Sequence, residues 1–351
     1  MDWNLLKELC ETPAVPGREE RMRAVVRGAL AGVVDAIEVD VMGNLVARRS
    51  RPGKPRVMIA AHMDEIGFMV KFIDDKGFLR LQPLGGFDPR QLFAQRVAVY
   101  PRGGGAPLVG VLSYTTKPTH LLTPEEAKES PVIDKFFVDL GMPAEVVKAV
   151  VGIGDMVTMD REAVVRDAVV ISKAIDNRVG LFVMIEAVRR VTGDAFDLFA
   201  VATVQEEVGL RGATTAAYAI DPAIGIALDT TLANDFPGIA DMDSVTMLGK
   251  GVAIKLMDAS LICHHGLVEH LREVAAAQAI PHQLEILPRG GTDGGAMQRT
   301  RGGTASVTLS IPTRYIHTVN EMANRSDITA AVDLLAAYLN APSARCYIPE
   351  S

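Results

Sequence analysis

Cysteine is nearly absent: Cys10, Cys263 and Cys346 are the only three among 351 residues. An odd, widely separated set makes neither a disulfide framework nor a thiolate zinc motif, so a reducing compartment is expected. Basic runs are missing too. With a net charge of -7 and only Arg48-Arg49-Ser50-Arg51 as a short cationic stretch, which reads as a solvated turn, the chain has no stripe for tracking phosphates, and no nucleic-acid partner is expected. No apolar run reaches the roughly 20 residues of a membrane-crossing helix, and Asp2, Lys7, Glu8 and Glu11 break the pattern of a signal peptide, so the expected setting is cytoplasmic with no membrane partner. Internal repeats and low-complexity segments are also lacking. Gly103-Gly104-Gly105 precedes neither a Lys-Ser/Thr pair nor a helix, which makes it an exposed turn and not a phosphate loop.

What is present is enough apolar residue, 48%, to fill two cores. Helical stretches are expected near Asn4 to Cys10 and Arg18 to Leu30, a hairpin at 36–40 and 44–48, and a buried strand at 56–61 that runs into His62. From about Lys71 to Asp160, short apolar runs separated by Gly, Pro and Asp predict a small β-barrel or sandwich, with a helix start at Thr123, whose capping box is completed by Glu126. Helix and strand then alternate: helices at 179–191, 266–279 and 327–339, and strands at 198–204, 224–228 and 304–311.

The chemistry is concentrated at strand ends. Glu206 and Glu207 follow the apolar run Val201-Ala-Thr-Val204, and acids in such a place are costly unless they do chemistry or bind cations. As neighbours in extended chain their side chains diverge, which suits one as a metal ligand and the other as a general base facing a metal-bound water. His62 and Asp64 stand two apart beyond a strand, so an imidazole could ligate a metal through one nitrogen while the carboxylate accepts from the other. Asp176 precedes a helix; its ordinary role would be a cap, its sharper one a carboxylate bridging two cations. Asp229, otherwise a turn residue, and His317, otherwise a structural histidine, complete the set. Parallel sheets bring such ends to one edge. Three ligating acids and a hydroxide would balance two divalent cations, and nitrogen and carboxylate donors without thiolate suit zinc, cobalt or manganese. His264-His265 has no acidic partner nearby and reads as structural or surface. If His62 and Asp176 serve one site, residues 1–68 and 162–351 form one discontinuous α/β domain, with 69–161 spliced into it.

The stretches Ala61-His-Met-Asp-Glu-Ile-Gly67, Lys173-Ala-Ile-Asp-Asn-Arg-Val-Gly180, Gln205-Glu-Glu-Val-Gly-Leu-Arg-Gly212, Leu228-Asp-Thr-Thr231, Ala233-Asn-Asp-Phe-Pro-Gly238, Gly291-Thr-Asp-Gly294 and Pro312-Thr-Arg-Tyr-Ile-His317 together resemble the dinuclear-metal glutamyl aminopeptidases, a family that includes tetrahedral dodecameric members and proteins labelled cellulase M. Leu84-Gly-Gly-Phe-Asp-Pro89 and His120-Leu-Leu-Thr-Pro-Glu-Glu126 extend the resemblance into the insert. It implies a zinc-exopeptidase-like fold, a mixed central sheet flanked by helices, whose inserted barrel makes a dimer contact within a dodecamer acting on peptides. It further implies His62 and Asp229 on one metal, Glu207 and His317 on the other, Asp176 bridging, Glu206 as general base and Asp64 as orienter of His62. Zinc or cobalt is the expected metal, and the Asp176-Asn177 peptide is expected to be cis. Leu232 departs from the histidine common near that position, which bears on pocket contacts only. Two other readings stay in view: a glycoside hydrolase, although neighbouring glutamates do not face each other across a bond as that chemistry needs, and a non-catalytic peptide-binding scaffold.

Overall fold

Four strands frame the molecule: Arg56–His62, Asp197–Thr203, Ile224–Leu232 and Ala305–Arg314, each buried along nearly its whole length. Apolar on both faces, such segments need cover on both sides, as parallel strands have in α/β domains. In this computed structural model, which describes residues 1–117, 119–341, 345 and 347, they lie side by side and parallel, with Arg56–His62 between Asp197–Thr203 and Ile224–Leu232, and Ala305–Arg314 beyond. Their carboxyl ends therefore open on one edge. The hairpin of Ala36–Val39 and Leu45–Arg49 extends the sheet antiparallel on one side. Glu321–Asn324, Val169–Ser172 and Val164–Val165 extend it on the other, and Val252–Met257 with His282–Ile286 completes eleven strands of mixed direction.

The helix Ile175–Arg189 is buried at every position from Ile175 to Val188, which places it between the sheet and other helices and not on the surface. Trp3 of the first helix, Trp3–Glu11, stacks on its Phe182 with ring centroids 5.5 Å apart. Asp2 sets where that first helix begins, accepting from the amides of Asn4 and Leu5 at 3.2 and 3.3 Å. Glu20–Leu30, His265–Ala277 and Arg325–Leu339 turn apolar faces inward on the same core.

Between Gly67 and Met159, six antiparallel strands close into a barrel in the order Gly67–Ile73, Leu79–Leu84, Phe136–Asp139, Leu108–Tyr114, Gln95–Tyr100 and Met156–Met159. Its interior, with Phe68, Val70, Leu79, Val97, Leu112, Phe136 and Val138, is a hydrophobic cluster of its own. Closure removes the free strand edges that a sheet this small would otherwise expose.

Two expectations are revised. Thr123 and Glu126 form both bonds of the capping box, at 2.9 and 3.2 Å, yet only the short 3-10 turn Glu126–Lys128 follows. The sequence Lys128-Glu-Ser-Pro131 offers no apolar face to pack, and a helix without one does not persist. The strand expected to end at Leu228 continues to Leu232, because its parallel pairing with Ala305–Arg314 runs on to Leu232 opposite Thr313. Asp229 is thus a strand residue and not a turn former. Cys346 lies outside the described residues; Cys10 and Cys263 are buried free thiols.

Candidate metal centre

His62 is the last residue of its strand, and Glu206 and Glu207 follow closely after the end of the neighbouring Asp197–Thr203. Asp229 comes from the strand on the other side, and His317 from beyond Ala305–Arg314. Asp176 enters from the start of the buried helix, where it does not act as a cap: its φ and ψ are non-helical, and its Oδ1 has no hydrogen-bond partner. The structure thus brings all the sequence-selected ligands to one edge. Asp176 Oδ1 lies 3.3 Å from His62 Nε2, and Asp176 Oδ2 lies 3.4 Å from His317 Nε2. Glu207 Oε1 is also 3.4 Å from His317 Nε2, while Glu206 Oε2 and Asp229 Oδ1 stand 3.7 and 3.9 Å from His62 Nε2.

Backbone geometry aims these groups. Ala174, Gln205, Leu210, Tyr315 and His317, all around the site, have left-handed φ between +56 and +63°. Each such non-glycine residue costs about 1–3 kcal/mol and persists only where its surroundings fix it. The Asp176-Asn177 peptide is cis, and Asn177 donates to the Leu228 carbonyl at 2.7 Å. The barrel also reaches the centre: a Cβ on Gly85 (φ +87°) would meet Ile66 Cγ2 at 2.5 Å and Glu207 Oε2 at 3.2 Å, so glycine is required there.

Asp64 differs from expectation in how it works. His62 Nδ1 donates to the Asp64 backbone carbonyl at 2.9 Å, with the carboxylate at 3.6 Å. The carboxylate instead accepts from the amides of Glu206 and Glu207, both at 3.1 Å. One buried residue therefore fixes the imidazole through its main chain and the glutamate pair through its side chain.

Sequence reasoning missed a further layer. Glu321 accepts from the amides of Asp176 at 2.9 Å and His317 at 2.8 Å, tying two site residues together. Glu65 is buried against Lys173 at 2.6 Å and Arg178 at 3.2 Å. Asp293 accepts from the Thr203 hydroxyl at 2.5 Å. All but Glu321 lie in the motif stretches quoted above, but nothing in their spacing reveals these pairings. His264 sits half-buried at the start of the helix His265–Ala277, and among the described residues it joins none of the groups able to hold a metal.

Burial and then crowding decide the protonation. Desolvation pushes Glu206 and Asp229 well above the usual carboxylate range, with neighbouring acids adding to it against the pull of His62. Asp176 goes the other way: burial opposes its charge, yet the His317 and His62 imidazoles beside it hold it below that range. Burial disfavours both imidazoliums, but His317 is pushed up to about 12 by Asp176 and Glu207, and His62 is raised by Glu206, Asp176 and Asp64. Four clustered carboxylates demand positive charge. The donor set fits divalent cations: ligand atoms of His62, Asp176 and Asp229, of Asp176, Glu207 and His317, and of His62, Glu206 and Glu207 each fall within 4.8 Å of one another, and both Asp176 Oδ1 and Glu207 Oε1 are buried without a partner.

The centre forms the floor of a cleft of about 550 Å³, bordered by Leu210, Leu287 and Ile316, by Arg289 to Thr292, and by Leu232, which is 43% exposed. A cleft ending on clustered acids and imidazoles accommodates a substrate whose reactive group is brought to metal.

Residues 43–334 match the M42 glutamyl aminopeptidase family. A lysyl aminopeptidase of Pyrococcus furiosus is 38% identical over 352 residues, covering 97% of each chain. Among solved structures, an aminopeptidase of the archaeon Desulfurococcus kamchatkensis superposes with a TM-score of 0.92 at 38% identity, over 97% of this chain and 94% of its own. The Pyrococcus horikoshii TET1 peptidase, described as assembling into a tetrahedron or a large octahedral shell, has a TM-score of 0.85 at 30% identity, over 97% and 99%. These comparisons support peptide hydrolysis, and this chain, an aminopeptidase, belongs to the M42 glutamyl aminopeptidase family.

Proposed function

We propose that the protein removes the N-terminal residue of peptides at a dinuclear centre, with His62 and Asp229 holding one cation, Glu207 and His317 the other, and Asp176 bridging. The observation that carries this reading is the pair of Asp176 oxygens, one facing each histidine at 3.3 and 3.4 Å. Two divalent cations, zinc or cobalt for this donor set, supply Lewis acidity and a water of lowered pKa. Glu206 has no place in the two ligand sets. It takes the proton from the attacking water and returns it to the departing amine. Asp64 is a positioning residue for both His62 and the glutamate pair.

Apart from the site itself, Arg289 is the charged residue bordering the cleft, and Leu210, Leu287 and Ile316 favour a neutral first side chain. The TET1 likeness supports a homo-oligomer, and a dodecamer built from dimers that meet through the 69–161 insert is the form we propose; native mass measurement tests it. Free, buried Cys10 and Cys263 support a cytoplasmic setting. No helix of the described residues is long and apolar enough to cross a membrane.

The test separates the neighbouring glutamates. Glu206→Gln should keep both ions, measured by metal analysis, and lose about 10²- to 10⁴-fold in kcat on short peptides. Glu207→Gln should lose metal first. Full activity in Glu206→Gln would remove the general-base assignment.

A further inference from the structure

The loop carrying Glu206 and Glu207 starts where the strand Asp197–Thr203 ends, so the sheet no longer supplies partners for its amides. Side chains from the N-terminal segments take over. The amide of Val204 donates to Asn44 Oδ1 at 3.1 Å, and that of Gln205 to Glu19 Oε1 at 3.2 Å. The amides of Glu206 and Glu207 donate to the two Asp64 oxygens, as described above. Consecutive amides from 204 to 207 are thus each held by a side chain more than 140 residues earlier in sequence.

The far end of the loop is tied to the same residues. Asn44 Nδ2 donates to the Gly212 carbonyl at 3.0 Å, and the Gly212 amide returns to the Val204 carbonyl at 2.9 Å. Gly212 leaves no room for a side chain, since a Cβ would stand 2.3 Å from Asn44 Oδ1. Glu19 is itself 3% exposed and is steadied by the Gly17 amide at 2.8 Å. These bonds hold Gln205 at φ +56°, a conformation that a free loop would leave.

We propose that Glu19 and Asn44 are positioning residues for peptide hydrolysis, holding the 204–207 amides so that Glu206 and Glu207 present their carboxylates to the centre from different directions. This rests on the roles assigned to those two glutamates. The interaction requires an acceptor oxygen and not a negative charge, so glutamine at position 19 should serve nearly as well as glutamate. Removing the acceptor leaves a buried amide without a partner and lets the loop shift, and misplacement by about 1 Å is enough to cost about 10²-fold in rate.

The experiment uses the full metal-loaded chain, with kcat and KM measured on short peptides and hydrogen–deuterium exchange followed in segment 203–208. Glu19→Ala is expected to lower kcat about 10- to 100-fold with KM changed less than about twofold, and to speed exchange in that segment. Glu19→Met keeps the side-chain length, removes the acceptor and carries the same expectation should the alanine variant fail to fold. Glu19→Gln should recover most of the lost kcat and the slow exchange, and Asn44→Ala should behave like Glu19→Ala. The proposal is overturned if Glu19→Met leaves both kcat and exchange unchanged, or if Glu19→Gln is as impaired as Glu19→Met. A wild-type protein that releases no N-terminal residue from any peptide would sink the aminopeptidase mechanism instead, and the exchange comparison would still decide whether Glu19 anchors the loop.

Discussion

Lys255, Asp258 and Glu285 are buried as deeply as the acids of the metal centre, yet they meet one another with opposite charges. Lys255 pairs with Glu285 and lies 3.6 Å from Asp258, Thr231 donates to Glu285 at 2.6 Å, and Thr292 donates to Asp258 at 3.1 Å. Glu65 with Lys173 and Arg178 is built the same way. At the metal centre, Asp176, Glu206, Glu207 and Asp229 converge without a lysine or arginine among the surrounding pairs of the described residues. Buried acid that meets a lysine or arginine is neutralised at least in part from within and maintains a fold; a cluster of acids with no such partner has to be balanced by something that binds. This contrast separates structure from function better than burial does, because burial is common to both.

Cation removal puts most weight on this difference. Chelation followed by dialysis should abolish N-terminal residue release and lower the unfolding temperature, with zinc or cobalt restoring both. A cation present at about 1,000 times its Kd contributes about 4 kcal/mol to the folded state. Undiminished turnover in protein shown by metal analysis to be free of cations would break the comparison.

The sequence made the acidic side of that contrast readable and left the balanced side hidden. His62, Glu207, Asp229 and His317 could be selected because apolar runs lead into them, and Asp176 because it precedes a helix; a parallel sheet then collects at one edge what lies far apart in the chain. The barrel was legible as well, through closely spaced turn residues. Lys255 and Glu285 gave no such signal: both sit inside short strands, 30 residues apart, and their pairing exists only once Val252–Met257 and His282–Ile286 lie side by side. Glu321 was missed for a similar reason, since its partners are main-chain amides that have no signature in sequence. Asp64 was read as acting through its carboxylate on His62, whereas its backbone carbonyl takes that place.

The balanced cluster should respond to mutation in the opposite manner to the centre. Lys255→Ala leaves Glu285 buried without its cation and should cost about 3–5 kcal/mol in denaturant unfolding, while the metal content of the folded fraction stays the same. Lys255→Met combined with Asp258→Asn and Glu285→Leu removes all three charges and should recover most of that loss. If the triple variant is as unstable as the single one, charge pairing is not what holds this region together.

Glu19 tests the comparison most finely, because it is a buried acid with neither a cation beside it nor a proposed place on a metal. Burial, reinforced by Asp64, raises its carboxyl from 4.5 to about 7 against the pull of the Gly17 and Gln205 amides. A folded-state pKa above the unfolded one contributes stability that is fully present below about 4.5 and is lost as the pH rises through about 7. Glu19→Gln stays neutral throughout and keeps an acceptor for both amides. In metal-free protein, the variant and wild type should therefore unfold with similar free energies near pH 4.5. They should diverge as the pH rises, until at pH 8 the variant is the more stable by at most about 3 kcal/mol. A difference that stays constant between those two pH values would mean that the amides compensate the Glu19 charge fully, which would place it with the lysine-paired cluster and not with the metal centre.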